Sequence, residues 1–233
     1  MNIILYAIPG FFILIALELI AERIRGTDYY RTNDALTSLN LGVVSRLSGV
    51  LQAFIPIAVY LSVYENFRLF DAPDHWVIWI VAFVLYDLSY YWAHRLGHEV
   101  NILWAAHVVH HSSEEYNLTT ALRQTGTGFF SVLFYIPMAL LGFDPVMVVT
   151  VGALNLIYQF WVHTRHVPKL GLLEWVFITP SNHRVHHAQN PVYIDKNYGG
   201  VFILWDRLFG TFQEELDDQP VVFGITGAVS SLG

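Results

Sequence analysis

Apolar residues lie along this chain in long blocks separated by short polar stretches, not in the strict alternation of half-buried strands. Residues 1–20 are apolar apart from Glu18 and close on Glu22-Arg23-Ile24-Arg25, which predicts a first spanning helix of about 20 residues. No basic residue precedes this block, so it reads as a retained helix and not a cleaved leader. A second span is expected from about Leu39 to Tyr64, with Arg46 inside it, and a third from His75 to Trp92. Asp87 in the third would be costly against lipid, so it should face protein or a polar site. The block from Thr119 to Val162 is too long for one crossing and breaks at Gly142-Phe143-Asp144-Pro145. Gly, Asp and Pro together are turn chemistry, which predicts two antiparallel helices, about 120–141 and 145–163. The run Gly199–Phe212, with Asp206 and Arg207 inside it, is too short to span; it is expected at the interface or packed on the domain.

Composition agrees. Of the 233 residues 55% are hydrophobic and 13% charged, against roughly 45–50% and about 25% in a soluble domain. The expected fold is therefore all-α: one integral membrane domain over 1–233, with transmembrane hairpins and a histidine-rich cap. Within it, about 1–75 would be N-terminal transmembrane helices and about 76–212 the metal-binding region. The absence of cysteine excludes a disulfide scaffold, a Cys-ligated zinc, an iron–sulfur cluster and a thiol nucleophile. A net charge of −7 argues against nucleic acid as a partner. With the N-terminus outside, Arg23, Arg25, Arg31, Arg95, Arg123, Arg165, Lys169, Arg184, Lys196 and Arg207 share the side of the histidines, while the opposite loops hold only Arg68. The positive-inside rule then puts the histidine side in the cytoplasm of a multi-pass protein of the bacterial inner membrane or endoplasmic reticulum.

Ten of the 11 histidines fall into four groups: His94 and His98; His107, His110 and His111; His163 and His166; His183, His186 and His187. Spacings of three and four put side chains on one helical face, so each group can aim two or three imidazoles at a common point. The hairpin returns His163 to the side of His94, and His75 is left at the far end of the third helix. Clustered neutral imidazoles suit iron, zinc, copper or nickel, and nine or ten are too many for one ion, so two metals are implied. The zincin motif HExxH is missing, because Ile102 stands where its second histidine would be, and no Glu-x-x-His of the soluble di-iron bundles occurs. What remains is an all-histidine dinuclear site, best suited to iron activating dioxygen. The two electrons that dioxygen chemistry needs would come from a reduced pterin or a redox partner protein. A membrane metal-binding protein or transporter is the non-catalytic alternative, but transporters place ligands near the bilayer midplane, and these lie at helix ends. Bis-histidine haem binding is a further one, which a Soret band would reveal.

The order HxxxH, HxxHH, HxxHH resembles the fatty acid hydroxylase / sterol desaturase superfamily of membrane di-iron enzymes, and within it the ether-lipid-cleaving branch. The stretches YDLSYYWAHRLGHEVNILWAAHVVHHSSEEYNLTTALRQ, NLIYQFWVHT, TPSNHRVHHAQN and YIDKNYGGVFILWDRLFGTF carry the likeness, over about Tyr86 to Phe212. The first 75 residues match only in hydrophobicity. The resemblance implies iron ligands at His94, His98, His107, His110, His111, His183, His186 and His187, with His163 the ninth; His166 matches less well. It also marks Glu99, Asp195, Asn197 and Tyr198 as catalytic-site residues, with Asn155 beside them. Glu99 would orient an imidazole or hold a cofactor amine. The activity implied is a monooxygenase that uses two Fe2+ ions and O2 on a lipid C–H bond, cleaving an alkylglycerol ether, with tetrahydrobiopterin or an external donor as reductant. A sterol or fatty-acid desaturase or hydroxylase of the same superfamily is the alternative.

Overall fold

The computed structural model describes residues 3–123 and 128–226. Its helices are α1 (Ile3–Arg25), α2 (Thr32–Gln52), α3 (Phe54–Phe67), α4 (Trp76–Glu99), α5 (Asn101–His111), α6 (Gly128–Leu140), α7 (Pro145–Trp161), α8 (Pro180–His186) and α9 (Leu204–Phe209), with short 3-10 turns at Thr120–Leu122 and Gly171–Trp175. No strand forms among the described residues. Two isolated bridges, Phe177 with Phe202 and Ala188 with Phe223, tie loops together. The fold is all-helical, as expected.

α1 and α4 are each long and apolar enough to cross a bilayer. The second expected span divides into α2 and α3, which bend by 44° at Ala53 and are long and apolar enough for a third crossing when taken together. Pro56 accounts for the bend: it has no N–H for the Gln52 carbonyl, and its ring crowds that carbonyl. α4 continues past Trp92 to Glu99, so the first histidine pair rides on the spanning helix itself. α6 and α7 are shorter apolar helices joined at the expected turn. There Asp144 caps α7 by accepting from Val146 N and Met147 N, and Pro145 opens it. Gly142 sits at φ +79, and a Cβ on it would lie 1.9 Å from the Phe70 carbonyl oxygen, so the turn can pack under the loop before α4. Two backbone bonds, Leu69 N to Leu140 O and Ala72 N to Gly142 O, lock that loop to the turn.

Tyr60, Ala82, Met138, Ala139, Phe143, Met147, Val148 and Val151 form the core between α3, α4, α6 and α7. Outward, α1 to α4 expose leucines, isoleucines and phenylalanines such as Phe12, Leu47, Phe54 and Ile80, a surface suited to lipid and not to water. α1 packs Phe11 flat on Phe160 of α7, with ring centroids 4.2 Å apart. Glu18, buried in the middle of this contact region, accepts bonds from the Thr164 hydroxyl, the Tyr30 hydroxyl and Leu118 N. The apolar N-terminal helix is thereby bonded to the segment that carries His163.

Candidate metal centre

Each histidine group is placed by a simple local device. His94 and His98 are one turn apart at the end of α4, and α5 begins immediately afterwards, carrying His107, His110 and His111. His163 follows the last turn of α7. The sequence Thr179-Pro180-Ser181-Asn182 starts α8 with a capping box: Thr179 and Asn182 satisfy each other's backbone N–H, and Pro180 occupies the first helical position. Arg184, buried on α8, pairs with Glu215 through two bonds (2.9 and 2.7 Å) and donates to the Thr164 and Val167 carbonyls. The short helix is thus held against the end of α7.

Nine imidazoles converge in two adjoining sets: His94, His98, His107, His111 and His186 in one; His110, His163, His183 and His187 in the other. Within each set the candidate ligand nitrogens lie within 4.8 Å of one another. These are the nine histidines expected from the sequence. The members of a set follow helix geometry. At 100° per residue, positions i and i+4 are 40° apart, while i+3 falls 60° to the other side. His94/His98, His107/His111 and His183/His187 each share a set, whereas the i+3 residues His110 and His186 cross to the opposite one.

The orientation of the rings shows whether the residues fit metal. Four Nδ1 atoms meet backbone carbonyl oxygens: His94 with Tyr198 (2.8 Å), His110 with Arg123 (2.7 Å), His163 with Gln159 (2.8 Å) and His186 with Lys196 (2.9 Å). A carbonyl only accepts, so each of these Nδ1 atoms carries the proton and each Nε2 is a bare lone pair. The Nε2 atoms of His110 and His163 nevertheless face each other at 3.4 Å, two acceptors with no proton between them. Other Nε2 contacts are 3.1 Å (His94 with His107, His111 with His107) and 3.0 Å (His183 with His163). Neighbouring nitrogens bound at about 2.1 Å to one tetrahedral or octahedral ion would be ~3.0–3.4 Å apart. His98 Nε2, His186 Nε2 and His187 Nε2 are buried without a hydrogen-bond partner. The residues fit a pair of metal ions.

Electrostatics agree. Burial pushes His110 down to about 4, with the Arg123 guanidinium adding to the effect and the Arg123 carbonyl opposing it. Burial, reinforced by neighbouring imidazoles, also holds His107, His111, His183, His186 and His187 well below the usual histidine range. All are neutral near pH 7, the form that binds metal.

The other expected residues take different places. Tyr198 is fully buried, its ring 5.2 Å from that of His98, and its carbonyl orients His94. Burial first, and then the charges of Asp195 and Glu99, raise its phenol, which keeps its proton. Asp195 and Asn197 both adopt left-handed backbone (φ 59 and 57), which Asp and Asn tolerate better than most residues. Asp195 Oδ1 lies 3.8 Å from His98 Nδ1, beyond hydrogen-bond range. Asn197 is a brace: it donates to the Asn182 and Gln213 carbonyls and accepts from Gln213 N. Glu99 bonds to Arg95 (2.8 Å) and not to an imidazole. Asn155 links Asp87 to Gln159, whose carbonyl holds His163. His166 lies outside both sets, beside Arg25 and the Tyr29 ring, and His75 caps α4. Arg123, Gln159 and Lys196 act through backbone carbonyls, which no side-chain pattern announces. A cavity of about 140 Å³ opens onto the five-histidine set, walled by His98, Trp104, His111, His186, Ile194 and Asp195 among others.

The sequence profile of the fatty acid hydroxylase family matches residues 79–211, which include all nine of these histidines. The chain belongs to the fatty acid hydroxylase family. Among curated relatives of this family member, human alkylglycerol monooxygenase is 48% identical over 229 residues, 97% of this chain and 51% of the human one. The Xenopus tropicalis alkylglycerol monooxygenase is 47% identical over 224 residues, 95% of this chain and 49% of its own. The ornithine lipid hydroxylase OlsE of Rhizobium tropici is 32% identical over 163 residues, 68% and 49% of the two chains. The similarity to the first two takes in nearly the whole chain, so it is not confined to Tyr86–Phe212 as the motifs alone suggested. The chain spans about half the length of the curated relatives it matches. No solved structure matches it significantly. Apolar spanning helices and family membership together make it a multi-pass integral membrane protein.

Proposed function

We propose that this chain forms the catalytic core of a membrane lipid monooxygenase that acts on an alkylglycerol ether. One observation carries the reading: nine imidazoles in two adjoining sets, with the bare Nε2 atoms of His110 and His163 facing each other as a shared cation would require. Two iron ions held there would supply the reduction of dioxygen and the placement of one oxygen atom into a lipid C–H bond. Around them the chain's own groups orient and exclude. The carbonyls of Tyr198, Arg123, Gln159 and Lys196 fix four imidazoles in the tautomer that presents Nε2. Asp195, at the rim of the small cavity and 3.8 Å from His98 Nδ1, is assigned to act on that imidazole through its charge. Tyr198 presents a protonated phenol beside the same set, Asn197 keeps their loop closed over α8, and Glu99 with Arg95 is assigned to the approach of the reductant.

The substrate assignment rests on the relatives named alkylglycerol monooxygenase. Hydroxylation of the carbon beside an ether oxygen gives a hemiacetal, which collapses to an aldehyde and a glycerol product. The electrons are assigned to tetrahydrobiopterin or a redox partner protein, and the excess of basic residues on the histidine side assigns that side to the cytoplasm. The test is an oxygen-dependent assay of the chain in membranes with an alkylglycerol, with and without tetrahydropterin, products read by mass spectrometry. Aldehyde release that needs oxygen and pterin is expected. A preparation with two iron ions per chain that converts no alkylglycerol would overturn the substrate assignment, and desaturated product would move it to the desaturase branch.

A further inference from the structure

The segments 171–178 and 199–209 join the histidine region to itself, and α4 and α7 measure how deep they reach. Asp87 lies three turns above Trp76 on α4, about 16 Å at 1.5 Å per residue. Asn155, which donates to Asp87 (2.6 Å), lies nearly three turns above Pro145 on α7, about 15 Å. The two helices start from loops bonded to each other, so these are two rulers with a common zero. Both place Asp87 near the middle of a hydrocarbon layer of about 30 Å.

The second segment reaches down to that level. Asp87 accepts from Val201 N (2.8 Å), Phe202 N (3.0 Å) and the Trp205 indole (2.9 Å). The first segment joins it there through Ile178 N to Val201 O and Ile203 N to Val176 O, and Tyr158 of α7 donates to the Ile178 carbonyl. α9 then climbs beside α4, with Phe209 stacked on Tyr91 (5.3 Å between centroids), about 22 Å above Trp76. Irregular backbone survives at membrane depth only where its polar groups are satisfied within protein. Here buried carboxylates serve that need. Asp87 takes two amides, and Asp206 takes those of Tyr198 and Gly199. A Cβ on Gly200 would come within 2.8 Å of Asp87, so the closest approach is made by a glycine.

The outer face of these segments is apolar: Leu172 is 85% exposed and Leu208 68%, with Leu173, Trp175 and Leu204 around them. The cation in it, Arg207, lies between the Trp175 and Phe212 rings and donates to the Glu174 carbonyl. We propose that 171–178 and 199–209 are two paired re-entrant loops sunk into the leaflet on the histidine side, their outer face covered by lipid acyl chains. The metal centre would then sit at the boundary of that leaflet, flanked by lipid, and not on a stalk in water. This holds whichever lipid is oxidised, since it rests on depth and not on turnover.

The chain has no cysteine, so single thiols can be introduced freely. Leu172→Cys and Leu208→Cys would carry nitroxides in phosphatidylcholine nanodiscs, which leave both aqueous faces open. Ile80→Cys on the outer surface of α4 and Asp217→Cys in the polar tail provide the lipid and water references. Power-saturation EPR should give 172 and 208 the oxygen-dominated relaxation of position 80. Relaxation by the water-soluble nickel chelate at either position, as at 217, overturns the proposal, and so does low accessibility to both relaxants, the signature of a protein partner. Leu173→Cys replaces either variant if one does not assemble.

Discussion

Replacing Asp87 tests how far the metal centre depends on a carboxylate buried in the spanning region. Its two oxygens accept four bonds: Asn155 and Val201 N on Oδ1, Phe202 N and the Trp205 indole on Oδ2. Alanine would leave four donors unpaired, those of Asn155 and Val201 buried and those of Phe202 and Trp205 half-buried. At roughly 1–3 kcal/mol each the loss is about 4–12 kcal/mol, comparable to the ~5–15 kcal/mol that holds a whole domain together. Asparagine keeps the shape and one accepting oxygen but turns an NH2 toward two donors, so about half of that, ~2–6 kcal/mol, is expected. At about 2–4 °C per kcal/mol for a chain of this size, Asp87→Asn should melt roughly 4–24 °C lower.

The same change should reach the metal. Tyr198, whose carbonyl holds His94, is three residues from Val201, and loss of such a support typically weakens metal binding by 10–100-fold. The assay is thermal unfolding in nanodiscs by tryptophan fluorescence, with metal counted by mass spectrometry in the same samples. The expected order of stability and metal content is wild type, then Asn, then Ala. An Asp87→Ala protein that melts within about 2 °C of wild type and keeps its metal would refute the reasoning.

Four further outcomes are expected. Purified protein should hold close to two metal ions per chain, and His75→Ala and His166→Ala should leave that number and the turnover unchanged, while His186→Ala abolishes turnover. His110→Ala leaves three ligands in its set and should lower metal content toward one per chain, whereas His111→Ala leaves four and should retain more, although the two residues are adjacent. Glu18→Leu removes the acceptor of three donors and should destabilise by ~3–9 kcal/mol while Glu18→Gln costs less, read from the same melting curves. Thiols at Glu65→Cys and Glu114→Cys should react with an impermeant maleimide from opposite sides of sealed vesicles, and labelling of both from one side would break the topology.

The histidine boxes were legible because metal ligation needs particular side chains at helical spacing, and the Gly142–Pro145 turn fixed which side His163 reaches. The kink at Ala53 went unread because hydropathy is blind to it; Pro56 was the available sign. Glu18 and Asp87 were visible as charges inside apolar blocks, yet their partners, Thr164 and Leu118 for one and Val201 and Phe202 for the other, lie far away in sequence. The carbonyl supports of four histidines could not be read at all, since every residue has a carbonyl. Glu99, adjacent to His98 in sequence, follows the helix around to Arg95, because i+1 turns 100° away from the face that His98 uses.

The division of each HxxHH box between two metal sets gives the box itself a physical purpose. A helix that offered only i and i+4 would serve one ion; adding i+3 puts a third imidazole on the other flank of the same turn. α5 therefore contributes His107 and His111 to one set and His110 to the other, and α8 contributes His183 and His187 to the second and His186 to the first. Every set draws on α5, α8 and one end of a longer helix, α4 or α7. A metal ion in either set would draw both short helices into place, so filling one set would order most of the imidazoles of the other. α8 has seven residues and is too short to persist alone, so its order comes from its cap and from Arg184 with Glu215, and bound metal would add to it. Coupled loading of two ions is the expectation that this arrangement sets, whatever lipid the centre meets.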